Sequence, residues 1–201
     1  MNQEENIITK IRIHTAQLHS ELEKTSLSAS LMAENVSQQD YIAYLQRMRE
    51  VVAFYEKNVF PVLSDTLNDF PRREKLVLIE QDLNYFLSQS TVFNTFTAQT
   101  VIHDSVPYAL GCMYVMEGST LGGKIILKHI NKTLGIAQAA GGTYFTGYGD
   151  NTGYFWKTFL QTLSDYSMQN ACDEEIIKGA KDTFTAIKNY FEQAHEVERY
   201  S

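Results

Sequence analysis

The chain is poor in the residues that interrupt a helix or staple a fold. Only three prolines occur in 201 residues, Pro61, Pro71 and Pro107. Long stretches are therefore free of the ring that removes a backbone donor and clashes with the preceding turn. The two cysteines, Cys112 and Cys172, stand far apart with no Cys-x-x-Cys spacing, which argues against a disulfide framework and against a zinc ribbon. No apolar run reaches the roughly eighteen residues of a membrane-spanning helix. The polar, acidic start MNQEENIITKIRIH carries no signal-peptide core. These absences lead to the expectation of a cytoplasmic protein with no membrane partner. Basic charge is short as well. A net charge of −7 argues against nucleic acid, whose phosphates need a basic surface to neutralise them.

What remains is ordinary globular material, 44% hydrophobic and 20% charged, in a length that suits one domain over residues 1–201. Apolar periodicity predicts helices throughout. Residues 4–25 place Ile8, Ile11, Leu18 and Leu22 on one face. A second helix follows Ser37, a suitable N-cap, with Tyr41, Leu45, Met48, Val52, Tyr55 and Val59 inward. A third opens at Asp69–Pro71 and runs to about Leu87. A fourth is capped by Asp104 with Pro107 in its first turn. Another starts at Asn151 or Thr152 and reaches about Met168. The last spans Asp173 to about Glu198, with Ile176, Ile177, Ala180, Phe184, Ile187 and Phe191 inward. No alternating strand pattern appears. The expected architecture is an all-α, single-domain bundle of roughly seven helices.

Glycine is sharply localised: ten of the eleven fall between Gly111 and Gly153. The piece GGTYFTGYGDNTGY (141–154) reads as a glycine-aromatic connector tucked against the bundle. The piece EGSTLGGKIILKHI (117–130) is stranger, since a helical apolar pattern follows Gly118, Gly122 and Gly123. Each glycine inside a helix costs about 1 kcal/mol relative to alanine. At about 100° per residue, Gly111, Gly118 and Gly122 share one face. Such a stripe lets two helices touch, which is the plainer account, or lets a flat ligand reach bare backbone.

In IRIHTAQLHSELEK, His19 lies about 60° from the centre of the apolar stripe and can point inward. Arg12 and Glu23 share its flank. An inward imidazole wants a partner for each nitrogen, such as a metal on one side and a carboxylate on the other. A surface histidine paired with an acid four residues on would look the same.

Together the two segments resemble the heme oxygenase family, in particular its phytochrome-associated bacterial branch. The family's opening helix carries a Thr-x-x-x-His-x-x-x-Glu frame after a basic residue, matched by Arg12, Thr15, His19 and Glu23. Its distal phrase Tyr-Val-x-Glu-Gly-Ser-x-Leu-Gly-Gly is matched by residues 114–123. The Trp156-led helix and GAKDTF (179–184) are similar too.

The resemblance implies heme, as cofactor and substrate, between the first helix and the glycine helix. It implies His19 as the iron ligand through its outer nitrogen and Glu23 as that ligand's partner. Gly118 and Gly122 would admit iron-bound oxygen, Gly123 would be a hinge, and Arg12 would sit near a propionate. The implied reaction oxidises heme with O2 and external electrons to biliverdin, carbon monoxide and ferrous iron. The macrocycle is attacked at its own meso carbon, so no protein nucleophile is needed. An electron donor such as ferredoxin and a phytochrome pathway accepting biliverdin are the implied partners.

The sequence departs from the mammalian-type pattern at Ser119, where that pattern has an aspartate. A hydroxyl can hold one water but brings no charge. The bacterial branch shares this serine. The basic residue that holds a propionate late in other chains has no clear match: alignment puts Leu160 there, with Lys157 nearby. Lys124, Lys128 and Lys132, beside His129, form either a solvated face or a basic strip for propionates or an acidic donor. A heme binder without turnover is the main alternative. A di-iron oxidase would need paired Glu-x-x-His, and only Glu192–His195 occurs. A thiamin-degrading enzyme on this fold would need a reactive cysteine, for which Cys112 looks too buried.

Overall fold

In a computed structural model of the chain, the described residues are 6–67, 69, 72–86, 96 and 105–198, with side chains as far as residue 193. Among them there is no strand. The helices are α1 (Ile7–Glu23), α2 (Ser26–Ser30), α3 (Gln38–Asn58), α4 (Leu76–Phe86), α5 (Val106–Leu134), α6 (Thr143–Thr146), α7 (Thr152–Asn170) and α8 (Asp173–Glu198). Single 3-10 turns lie at Phe60–Leu63 and Gly149–Asn151. Two of the eight helices, α2 and α6, are only about one turn long, so the expected count of roughly seven is close. No helix among the described residues is long and apolar enough to cross a membrane.

Local chemistry explains most boundaries. Asn6 caps α1 by accepting from the Thr9 N–H at 2.9 Å, which moves the helix start from residue 4 to Ile7. Ser37 caps α3 in a reciprocal box with Asp40, and the hydrogen bonds from Ser37 hold the Asp40 carboxyl below its ordinary range. The cap of α5 is Ser105 rather than Asp104; Asp104 lies outside the described residues, as do Pro71 and Leu87. Gly135 ends α5 in the left-handed region with φ 70°. The end of α7 is less comfortable, because Ala171 takes φ 49° there.

The third predicted helix begins at Leu76 and not near Asp69. Its first free backbone donors, the N–H groups of Lys75 and Leu76, go to the Glu56 carboxylate at 2.5 and 3.0 Å. The cap therefore comes from α3, and no local pattern announces it. A second borrowed cap orders the glycine-aromatic connector. Buried Asp82 on α4 accepts the N–H groups of Thr143 and Tyr144 at 2.8 and 2.7 Å, closing the single turn of α6.

The core runs along α5, which packs on α8 and α7, while α1 packs on α8 as well. All six inward positions expected on α3 are buried. On α8 every expected position is buried except Ile177, which is partly covered. At the α5–α8 crossing two glycines face the opposite backbone. A Cβ on Gly111 would overlap the Ile176 carbonyl oxygen, and one on Gly179 would overlap the Tyr108 carbonyl oxygen. Gly111 is thus a packing glycine. It does not belong to a bare stripe shared with Gly118 and Gly122.

Candidate functional site

The arrangement of α1, α5 and α8 leaves a cavity of about 710 Å³ between them, within the usual size range of small-molecule sites. Its wall is mostly apolar, with Tyr44, Met48, Phe145, Trp156, Phe184, Ile187 and Phe191 at its base and sides. From α1 the wall takes Arg12, Thr15, Ala16, His19 and Glu23, a strip at i, i+3, i+4, i+7 and i+11 that one helical face supplies. From α5 it takes Tyr114, Val115, Gly118, Ser119, Gly122, Ile125 and Ile126. The two segments singled out in the sequence, about a hundred residues apart, form facing walls of one cavity.

His19 stands at the rim, its side chain 58% exposed and its ring edge-on to Phe184 at 5.6 Å between centroids. The exposure leaves a ring nitrogen accessible to a ligand. Glu23 faces Nε2 at 3.8 Å, too long for a hydrogen bond. It therefore lies beside the outer nitrogen, the one the resemblance gives to iron, and does not hold the inner one in this arrangement. Arg12 is the one basic residue of the wall among the described residues. Burial pushes the phenol of neighbouring Tyr114 up, and the Arg12 charge partly opposes that.

Across the cavity, the α5 backbone is bare where the glycines are. A Cβ on Gly122 would meet nothing within 4 Å, and one on Gly118 would meet only the Trp156 indole, at 3.6 Å. Ser119 is exposed on the wall and donates its hydroxyl to the Met116 carbonyl at 2.8 Å, so its oxygen keeps lone pairs with which to accept.

Two expected site residues, Gly123 and Lys157, lie elsewhere. Gly123 does not reach the wall: it is buried, and a Cβ there would come within 2.8 Å of the Phe145 carbonyl oxygen. Close packing on α6 occupies the place where the resemblance implies a hinge. Lys157 is exposed and outside the wall, and Leu160 packs against the core. His129 is separated from the lysine strip by its contact with the Ala33 carbonyl at 3.0 Å. Lys124, Lys128 and Lys132 are exposed.

Behind α5 lies a charged cluster with almost no signature in the sequence. Fully buried Arg73 makes a two-point contact with Asp69, at 2.7 and 2.9 Å, and donates to Glu117 at 2.6 Å. The Tyr148 hydroxyl donates to the other Glu117 oxygen at 2.6 Å. Lys75 donates to the Arg73 carbonyl at 2.7 Å and sits 3.5 Å above the Tyr148 ring. Burial raises the Glu117 carboxyl against the pull of Arg73 and Lys75, and brings the Lys75 ammonium down to about 8. Only Glu117 carried a signal, as the charged member of an otherwise apolar and glycine-rich phrase.

The rival chemistries gain nothing. Burial pushes the Cys112 thiol up to about 12, the reverse of an activated nucleophile. Among the described residues no three His, Cys, Asp or Glu side chains converge on a metal-sized site; the His195 side chain lies outside them.

A profile of the heme oxygenase family matches residues 5–193. The chain belongs to the heme oxygenase family. No curated protein matches it in sequence. Its fold is similar to that of heme oxygenase from Leptospira interrogans, with a TM-score of 0.76 at 16% identity over 94% of this chain and all of that one. The Neisseria meningitidis heme oxygenase, solved with NO and CO bound, gives 0.75 at 20% identity, covering 94% of this chain and 92% of that one. Heme oxygenase-1 of Synechocystis sp. PCC 6803, in complex with heme, gives 0.77 at 17% identity, covering 98% and 96%. At these identities the likeness establishes the heme oxygenase fold.

Proposed function

We propose that the protein binds heme in this cavity and oxidises it with O2 and external electrons to biliverdin, carbon monoxide and ferrous iron. The observation that carries the reading is the pairing of walls: a rim histidine on α1 faces an α5 backbone stripped of side chains at Gly118 and Gly122. A flat, largely apolar group with one coordinating centre fits that space. The empty position beside Gly122 is room that an alanine would begin to fill.

Heme, when bound, supplies the oxygen chemistry, and the protein supplies binding and orientation. His19 would hold the iron through a neutral imidazole nitrogen. Glu23, at i+4, would turn from its present contact to steady that ring, directly or through water. Arg12 at the rim would pair with a propionate. Phe184, Ile187 and Phe191 would exclude water from the macrocycle's apolar edge. On the distal side, peptide groups near Gly118 and Gly122 would stand where a bulkier helix would have side chains. The Ser119 oxygen can accept from a water there and so hold a proton source on the distal side. Gly123 and Phe145 would buttress that helix from behind, and Lys157 takes no part in this reading.

The same proposal extends to the phytochrome-associated branch, to a cytoplasmic setting, to a donor such as ferredoxin and to a phytochrome pathway as acceptor of biliverdin. The support for the branch is the serine in the distal phrase at residues 114–123. Ser119 also favours a second reading, a heme binder without turnover, because its donor is already committed to Met116.

Adding hemin to the purified protein and then ascorbate, or ferredoxin with its reductase, tests both. Formation of a Soret band followed by its decay to a biliverdin spectrum is the expected course. A stable band with no decay would leave only the binder. An unchanged band in His19→Ala would overturn the ligand assignment.

A further inference from the structure

We infer that Glu117 is a positioning residue: clamped by Arg73 and Tyr148, it fixes the rotation of α5 immediately before the cavity glycines and locks Trp156 over Gly118. The inference rests on the reading of the cavity as a heme site, and its physical basis can be tested without heme.

The stretch 118–123 carries three glycines in six residues and is therefore the weakest part of its helix on intrinsic grounds. Two hydroxyls weaken it further by turning back onto the chain, Ser119 to the Met116 carbonyl and Thr120 to the Glu117 carbonyl, a pattern that bends helices. A helix so built needs an outside restraint to hold one face toward a cavity. Glu117 supplies it from the adjacent residue, pointing away from the cavity wall into the buried cluster.

Both carboxylate oxygens are committed, one to Arg73 and one to Tyr148, each at 2.6 Å. With residues about 100° apart around the helix, holding Glu117 on the rear face sets where Gly118 and Gly122 point.

The same cluster reaches α7. Arg73 lies 5.2 Å from the Phe155 ring centroid, and Tyr148 stacks on that ring at 4.2 Å. The next residue, Trp156, is the one whose indole covers Gly118. Arg73 is itself anchored by Asp69, so the clamp ties α5, the start of α7 and the segment before α4 into one charged knot. A buried network with every member satisfied can hold one arrangement, and removing one member leaves another buried group uncompensated.

Amide hydrogen exchange on the heme-free protein tests this. In Glu117→Gln and Arg73→Lys, exchange over residues 118–123 is expected to rise about tenfold more than exchange over α8, whose loss of protection reports only the general cost of breaking a buried pair. Tyr148→Phe, which removes a single hydroxyl, serves as the mild variant should either of the others fail to fold, and is expected to show a smaller rise at the same residues. Unchanged exchange at 118–123, or a rise spread evenly over α5 and α8, would overturn the inference, the latter because it marks general destabilisation. A hemin titration run alongside separates the claims. Absence of a Soret band with the wild type defeats the heme reading, while exchange still decides the clamp. When the wild type does bind hemin, a Soret maximum displaced in Glu117→Gln supports the clamp, and an identical spectrum counts against it.

Discussion

Gly111 and Gly122 lie on one face of one helix, eleven residues apart, and their surroundings are opposite. Gly111 is pressed against the α8 backbone so closely that a Cβ would overlap the Ile176 carbonyl, whereas a Cβ on Gly122 would meet nothing within 4 Å. One spacing signal thus has two physical causes. The first half of α5 lost its side chain so that two helices could touch. The second half faces a cavity whose other wall carries His19. A stripe of small residues says that something comes close; only the partner surface says what.

Substitutions at the two positions should therefore move stability in opposite directions. Gly111→Ala forces the α5–α8 crossing apart and is expected to destabilise by about 3 kcal/mol or to prevent folding, read by chemical denaturation. Gly122→Ala relieves the glycine penalty with no clash in the heme-free protein, so a gain of roughly 0.5–1 kcal/mol is expected. A loss at Gly122 would show that the cavity closes in solution and would erase the contrast. A smaller effect is expected away from the site. Ala171 holds a left-handed φ that glycine adopts without penalty, so Ala171→Gly should stabilise by about 0.5–1 kcal/mol in the same assay. No gain there would mean that the end of α7 differs from the backbone described.

Where a boundary depends on neighbours in sequence, it was legible to within a few residues, the caps at Asn6 and Ser105 lying close to where a helix start was expected. Ser37 and Asp40 announce α3 within four residues, and the apolar periodicity of α8 predicts its buried face. The most displaced boundary, the start of α4, has a remote cause. Glu56 caps α4 from α3, and Asp82 caps α6 from α4, so neither the start of α4 at Leu76 nor the helical turn inside the glycine-aromatic connector has a local signature.

The site divides in the same way. Arg12, His19 and Glu23 share a helical strip that spacing alone reveals, and the structure sets that strip opposite Gly118, Ser119 and Gly122. Gly123 reads identically to Gly122 in sequence, yet 100° of rotation turns it from the cavity to the Phe145 carbonyl. Glu117 was visible inside the distal phrase, but the buried positions of Arg73 and Tyr148, 44 and 31 residues away, could not be inferred from it.

If the open face at Gly122 is room for heme, a leucine there must abolish the thermal shift that hemin produces in the wild type. A ligand that binds only the folded state raises Tm by mass action. A hemin-dependent rise is expected in the wild type and is lost in Gly122→Leu, whose heme-free form stays folded because the new side chain enters the open cavity. An equal rise in both proteins would contradict the heme reading of Gly122.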